Sequence, residues 1–175
     1  MLFRQLLCKL AISVSVSLSL LLFILPTKAE QQARLAIWPI DSTVYGQEMD
    51  LDTKQMIEQL VPDLLTASLS QLPITIVERQ KLLEILNEQK LSSSQLADES
   101  TRIRLGKLLG AQYMLFGTYL KIGPQAQMEL RIVNTETTEI VATASAEQGH
   151  NDLLTTTETI SQQLSLSFKK CCLAK

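Results

Sequence analysis

Hydrophobic positions along this chain change their period several times, and each change marks an element. Leu10 to Leu25 is continuously apolar apart from Ser13, Ser15, Ser17 and Ser19. Arg34 to Ile40 is a short apolar run closed by Pro39, as expected of a strand that stops where its N–H has no further use. Asp41 to Asp50 is mostly polar, contains Gly46 and reads as a loop. From Asp52 or Thr53 the period becomes helical: Met56, Leu60, Leu64 and Ser68 recur at every fourth position, with Ile57, Val61, Leu65 and Leu69 beside them. So wide a stripe predicts a well-buried helix. Pro62 lies inside it and is expected to kink or break it.

Ile74 to Val77 is β-branched throughout and follows Pro73, which predicts a buried second strand. Gln80 to Gln89 sets Leu82, Leu83, Ile85 and Leu86 against Lys81, Glu84 and Glu88, an amphipathic helix, and Ser92 to Gln95 breaks the pattern. A further helix runs from about Ser100 to Leu109, with Leu105, Leu108 and Leu109 at helical spacing, Lys107 in its last turn and Gly110 where a left-handed cap belongs. Tyr113 to Ile122 predicts a long third strand, turned by Gly123 and Pro124. In the fourth strand Met128, Leu130 and Ile132 alternate with Gln127, Glu129 and Arg131, so one face is packed and the other wet or paired. Asn134 to Glu139 is a polar turn and Ile140 to Ala146 a fifth strand. Leu153, Thr157, Ile160, Leu164 and Phe168 mark a closing helix capped by Asn151 or Asp152.

The order is therefore β-α-β-α-α-β-β-β-α. Helical crossovers between the early strands favour parallel pairing, and short turns between the later ones force antiparallel pairing. The expected fold class is α/β, a mixed sheet of about five strands covered by helices.

The first apolar run changes the picture of the whole chain. Arg4 and Lys9 precede it and Pro26-Thr27-Lys28-Ala29 follow, the arrangement of a secretory signal. At 16 residues it is shorter than the roughly 20 that a membrane-spanning helix needs. Residues 1–29 are thus expected to be a signal peptide cut before Glu30, residues 30–168 the α/β domain and 169–175 a C-terminal tail. Retention as an anchor is the alternative. A lipoprotein signal would place Cys just after the run; Cys8 lies ahead of it, so no lipid anchor is expected. The predicted location is the periplasm. Removing residues 1–29 takes away Arg4, Lys9 and Lys28 and no acid, leaving 13 of the 16 basic residues against 18 acidic ones, a formal charge of −5. Nothing basic is clustered to neutralise phosphates, which argues against nucleic acid as a partner. Cys171 and Cys172 adjoin in the tail and read either as thiols of a frayed end or as a disulfide between copies.

The motifs of chemistry are missing from the text. There is no phosphate cradle of either Gly-rich kind, no G-x-S-x-G elbow and no H-E-x-x-H. Gly106 to Gly110 is a helix end. His150 is the single histidine; it reads as a surface or capping residue, since a general base needs an orienting partner. Glu78 and Arg79, at the join of strand and helix, read as setting the helix start, and Trp38 reads as core. No catalytic, cofactor-binding or metal-binding residue is assigned, and the protein is not expected to be an enzyme.

Val77-Glu78-Arg79-Gln80 with Leu82, Ile85, Leu86, Glu88 and Gln89, then Leu105 to Tyr113, then Leu130 to Asn134 with Thr137 and Glu139, resemble the periplasmic core of the curli secretion channel subunit, the CsgG family. Leu35 to Ile40 fits that family's first strand, and the resemblance covers residues 34–146. The same superfamily includes LpoB-like activators of penicillin-binding proteins, FlgO-like flagellar proteins and the N-terminal domain of TolB. In the channel each subunit inserts two long β-hairpins, which at about 9 to 11 residues per membrane strand would take about 40 residues. Here five residues separate Ile122 from Met128 and five separate Ala146 from Asp152. The constriction loop of the channel corresponds to Asp41 to Asp50, where Tyr45 is the one aromatic side chain. The resemblance therefore implies a non-pore accessory or scaffold protein of curli production and transport, with other envelope proteins or its own copies as partners. Regulation of a peptidoglycan synthase and a flagellar accessory role are the alternatives.

Overall fold

The strand with the most continuous apolar text, Tyr113–Ile122, lies at the centre of a six-stranded mixed sheet. The computed structural model describes residues 32–46, 49–88, 98–148 and 152–173. The signal peptide with its cut before Glu30, the break at Ser92 to Gln95, Asn151 and His150 lie outside the described residues.

The strands are β1 (Ala33–Ile37), β2 (Asp41–Tyr45), β3 (Ile74–Ile76), β4 (Tyr113–Ile122), β5 (Gln125–Asn134) and β6 (Ile140–Glu147). The sheet runs β3-β1-β4-β5-β6, with β2 following β1 along the same side of β4. β1 pairs in parallel with β3 and β4, β2 in parallel with β4, and the β4-β5-β6 meander is antiparallel, the division expected from the connections.

The segment read as a loop from Asp41 contains β2, which corrects the count from five strands to six. Four of its five residues are exposed, so no buried face imprinted a period on the text. What orders β2 is its pairing with Thr118 to Ile122 of β4.

Helix α1 comprises Leu51–Gln55, a π-helical turn Met56–Leu60 and Val61–Leu69. Pro62 does not end it. A proline ring crowds the carbonyl four residues earlier, and the wider turn supplies room: the Val61 N–H donates to the Met56 carbonyl, one residue further back than in an α-helix. Helices α2 (Arg79–Glu88), α3 (Glu99–Leu108) and α4 (Leu153–Phe168) complete the described set.

Each of α1, α3 and α4 begins with the same device. Asp50, Asp98 and Asp152 accept from the backbone N–H of Thr53, Thr101 and Thr155, three residues on. These hydrogen bonds hold the Asp50 and Asp152 carboxyls below the ordinary value of 3.8, and that of Asp98 is lowered first by the Ser100 hydroxyl and then by Thr101. Helix α3 stops as its text predicts, with Gly110 at φ 69° and the Ala111 N–H returning to the Gly106 carbonyl.

The core has two parts. On one face α1 and α4 pack over the sheet, bringing Ile57, Val61, Leu65, Leu69, Leu153, Ile160, Leu164 and Phe168 against Leu35, Leu115, Tyr119, Met128, Leu130, Ile132 and Ala144. On the other, α2 and α3 supply Leu82, Ile103 and Leu105 against Ala36, Trp38, Met114, Phe116 and Val133. Lys169–Leu173 continue α4 as a π-helical turn. Cys171 and Cys172 are disulfide-bonded to each other, and Cys172 and Leu173 pack on the first core. Residues 169–173 of the tail are therefore an ordered extension of α4, and its two thiols are closed within the chain.

Candidate interaction surface

Helix α3 crosses only part of its face, and its forward edge is built from six side chains. The Arg102 guanidinium lies 5.4 Å from the centre of the Trp38 ring, and that of Arg131 5.6 Å from the centre of Phe116. The two rings are 6.4 Å apart. Asp41 of β2 receives two hydrogen bonds from Arg102, and Glu99 receives one from Arg131 at 2.8 Å. Cation and ring attract through the ring quadrupole, and the carboxylates fix each guanidinium in place. This row ties α3 to β2 and β5 and seals the second core.

Beyond the row no described helix covers the sheet face. The side chains that follow Asp41, Phe116 and Arg131 on the same pleat are Thr43 and Tyr45 of β2, Thr118, Leu120 and Ile122 of β4, and Glu129, Gln127 and Gln125 of β5. Tyr45 and Ile122 are register partners, exposed by 60% and 54%. Leu120, Ile122, Pro124, Gln125, Gln127 and Glu147 line a shallow depression at this end. The opposite pleat of β5, at Ala126, Met128, Leu130 and Ile132, is buried. The alternation read from the sequence is thus the two sides of one strand, one packed and one wet. An exposed polar face with a few large apolar side chains at its end can bind another protein surface; it holds no reacting group.

The residues singled out in the sequence are scattered. Trp38 is buried, as read. Glu78 stands outside β3, where its carbonyl accepts from the Lys81 N–H and its carboxylate lies 3.9 Å from the Lys81 ammonium. Arg79 opens α2. Gly106 packs against Met114, and Gly110 forms the helix end. Among the described residues no group of three His, Cys, Asp or Glu side chains could hold a metal ion, and no helix is long and apolar enough to cross a membrane. Three features escaped sequence reading. Thr135 is fully buried and donates to the Ala111 carbonyl at 2.8 Å. The Arg102 and Arg131 rows needed the fold to bring them together. The caps at Asp50 and Asp98 were legible in principle, because Asp-x-x-Thr occurs at all three helix starts.

A mixed sheet with paired helices on one face, a partial cover on the other and a tight meander defines a three-layer α/β domain. Residues 41–121, from β2 to the end of β4, match the family model described as curli production assembly/transport component CsgG, so this segment of the chain is CsgG-like. The fold is similar to the LpoB C-terminal domain from Salmonella enterica, at 18% identity and a TM-score of 0.51, over 70% of this chain and 87% of that one. It is similar to the Escherichia coli LpoB C-terminal domain at 16% identity and a TM-score of 0.50, over 69% and 84%. Lipoprotein GNA1162 from Neisseria meningitidis matches at 14% identity and a TM-score of 0.51, over 66% and 81%. No curated protein matches the sequence.

Proposed function

We propose that this chain is a non-enzymatic accessory or scaffold protein of the bacterial cell envelope, exported to the periplasm, which serves curli production and transport by binding other proteins. The observation that carries the reading is the CsgG-like segment joined to a meander with no room for membrane hairpins. β4 and β5 are connected by Gly123 and Pro124 alone, with Gly123 at φ 57°. Both strands are paired within the sheet and covered on one face by α1 and α4, so neither is available for a barrel. The bare sheet face supplies the contact surface, and copies of the chain are among its candidate occupants.

Photo-crosslinkable residues in place of Tyr45 and Gln127 test the reading in living cells. Capture of curli-assembly proteins supports it, and loss of surface fibres on deletion of the gene supports it further. Ion conductance by the purified protein in lipid bilayers would sink it. Recovery of the protein in membranes with Met1 in place, where Glu30 is the expected first residue, would overturn the cleavage step.

The likeness to LpoB C-terminal domains favours a second reading, in which the domain docks on a peptidoglycan synthase and shifts its activity by differential binding. The same crosslinks separate the two, since a synthase would be captured instead.

A further inference from the structure

In the parallel part of the sheet, neighbouring strands send the chain to opposite faces. The chain leaving β1 by way of β2 goes to α1 on one face, and the chain leaving β3 goes to α2 on the other. Open α/β sheets form a crevice where connections diverge at the carboxyl ends of strands. β3 is short here: it pairs with Ala33 to Leu35, and the Val77 N–H makes the last bond, to the Leu35 carbonyl. On its β3 side, Ile37 therefore has no neighbouring strand among the described residues.

A cavity of about 210 Å³ occupies that place, lined by Ile37, Ile76, Val77, Pro62, Thr66, Asp63 and Glu78. Its floor is apolar. Its rim carries two carboxylates from different elements, Asp63 in α1 and Glu78 after β3, and no cation is among the lining residues. Among the described residues no salt bridge engages Asp63, and Glu78 has only the exposed Lys81 at 3.9 Å. An apolar slot ending in negative charge is complementary to a long aliphatic stem ending in a positive one.

We propose that this crevice receives a lysine or arginine side chain of a partner protein, its methylene stem against Ile37, Ile76 and Val77 and its head at Asp63 and Glu78. The inference rests on the reading that the protein works by protein contact, and it adds a second contact point outside the bare sheet face. It predicts a partner whose docking segment presents a protruding basic residue.

Amide NMR spectra of the purified protein, titrated with three capped pentapeptides that differ only at a central lysine, norleucine or glutamate, test this. The lysine peptide is expected to shift the Ile37, Thr66 and Val77 amides. Norleucine, with the stem but no charge, is expected to bind about fivefold more weakly, the upper worth of an exposed ion pair. The double variant Asp63→Asn and Glu78→Gln, both at exposed positions and with an unchanged melting temperature, is expected to bring the lysine peptide down to the norleucine level. Equal binding of lysine and norleucine peptides, shifts confined to other surfaces, or an unaffected double variant would each overturn the proposal. So would saturation of the crevice by n-butylammonium at concentrations where the lysine peptide leaves it empty, which would mark a small-amine site. A silent titration alongside crosslinks from Tyr45 would remove the crevice and leave the scaffold reading standing.

Discussion

The two faces of the sheet are built from the same strands and have opposite fates. Under α1 and α4, apolar side chains run the length of the meander, from Leu115 and Tyr119 through Met128, Leu130 and Ile132 to Ala142 and Ala144. Under α2 and α3 the buried apolar row ends at Phe116 and Val133, and beyond it Thr118, Glu129 and Gln127 share the pleat with the half-buried Leu120 and the exposed Ile122. Burial stabilises in proportion to the apolar area removed from water. The first face therefore holds the larger part of the described core, while the second is only partly covered by described helices.

The sharpest way to break this contrast is in the cores. Phe168→Ala removes a fully buried ring that stands edge-on to Tyr113 at 5.0 Å between centres, and a loss of about 4 kcal/mol in urea unfolding is expected. Ile103→Ala on the other face should cost less, about 2 kcal/mol, because the side chain lies at the margin of the smaller core, 7% exposed. Equal costs would show that α3 carries as much of the fold as α4.

Acid provides the next test. The Asp50, Asp98 and Asp152 carboxyls titrate below 3.8 in the folded chain. A lowered folded value gives stability that is complete above the unfolded value and is lost as pH falls through the folded one. The melting temperature should thus be insensitive to these groups near neutrality and drop below about pH 4. Asparagine at all three positions caps without titrating, and should flatten that drop.

Smaller effects distinguish the row at the edge of α3 from the bare sheet beyond it. Glu99→Gln loosens Arg131, at an expected cost of about 0.5 kcal/mol that shrinks with added salt. Glu129→Gln on the open face should change unfolding by less than about 0.5 kcal/mol. Its effect should appear instead in the yield of crosslinks from Gln127.

Legibility followed the same division. β5 could be read residue by residue because one side is buried along its length, so burial stamped a period of two on the text. Gly110 was readable as a helix end because a left-handed φ is open to glycine at little cost. β2 was not readable, since its order comes from backbone pairing with β4, which any polar sequence can supply. The passage of α1 through Pro62 was hidden for a related reason: the π-turn at Met56–Leu60 is a backbone adjustment that leaves the hydrophobic stripe intact. The open face was half legible as the wet side of β5, whereas the crevice beside Ile37 had no signature at all.

By itself the sequence determined the α/β class, the order of nearly all the elements, the parallel and antiparallel halves of the sheet and the resemblance to the CsgG family. Periodicity, caps and connection lengths are local properties, and these follow from them. Only the tertiary structure decided that α1 shares a face with α4, that Arg102 and Arg131 stack on Trp38 and Phe116, and that Asp63 and Glu78 rim one cavity. Such meetings join residues far apart in the chain, and which of them form depends on how the whole core packs.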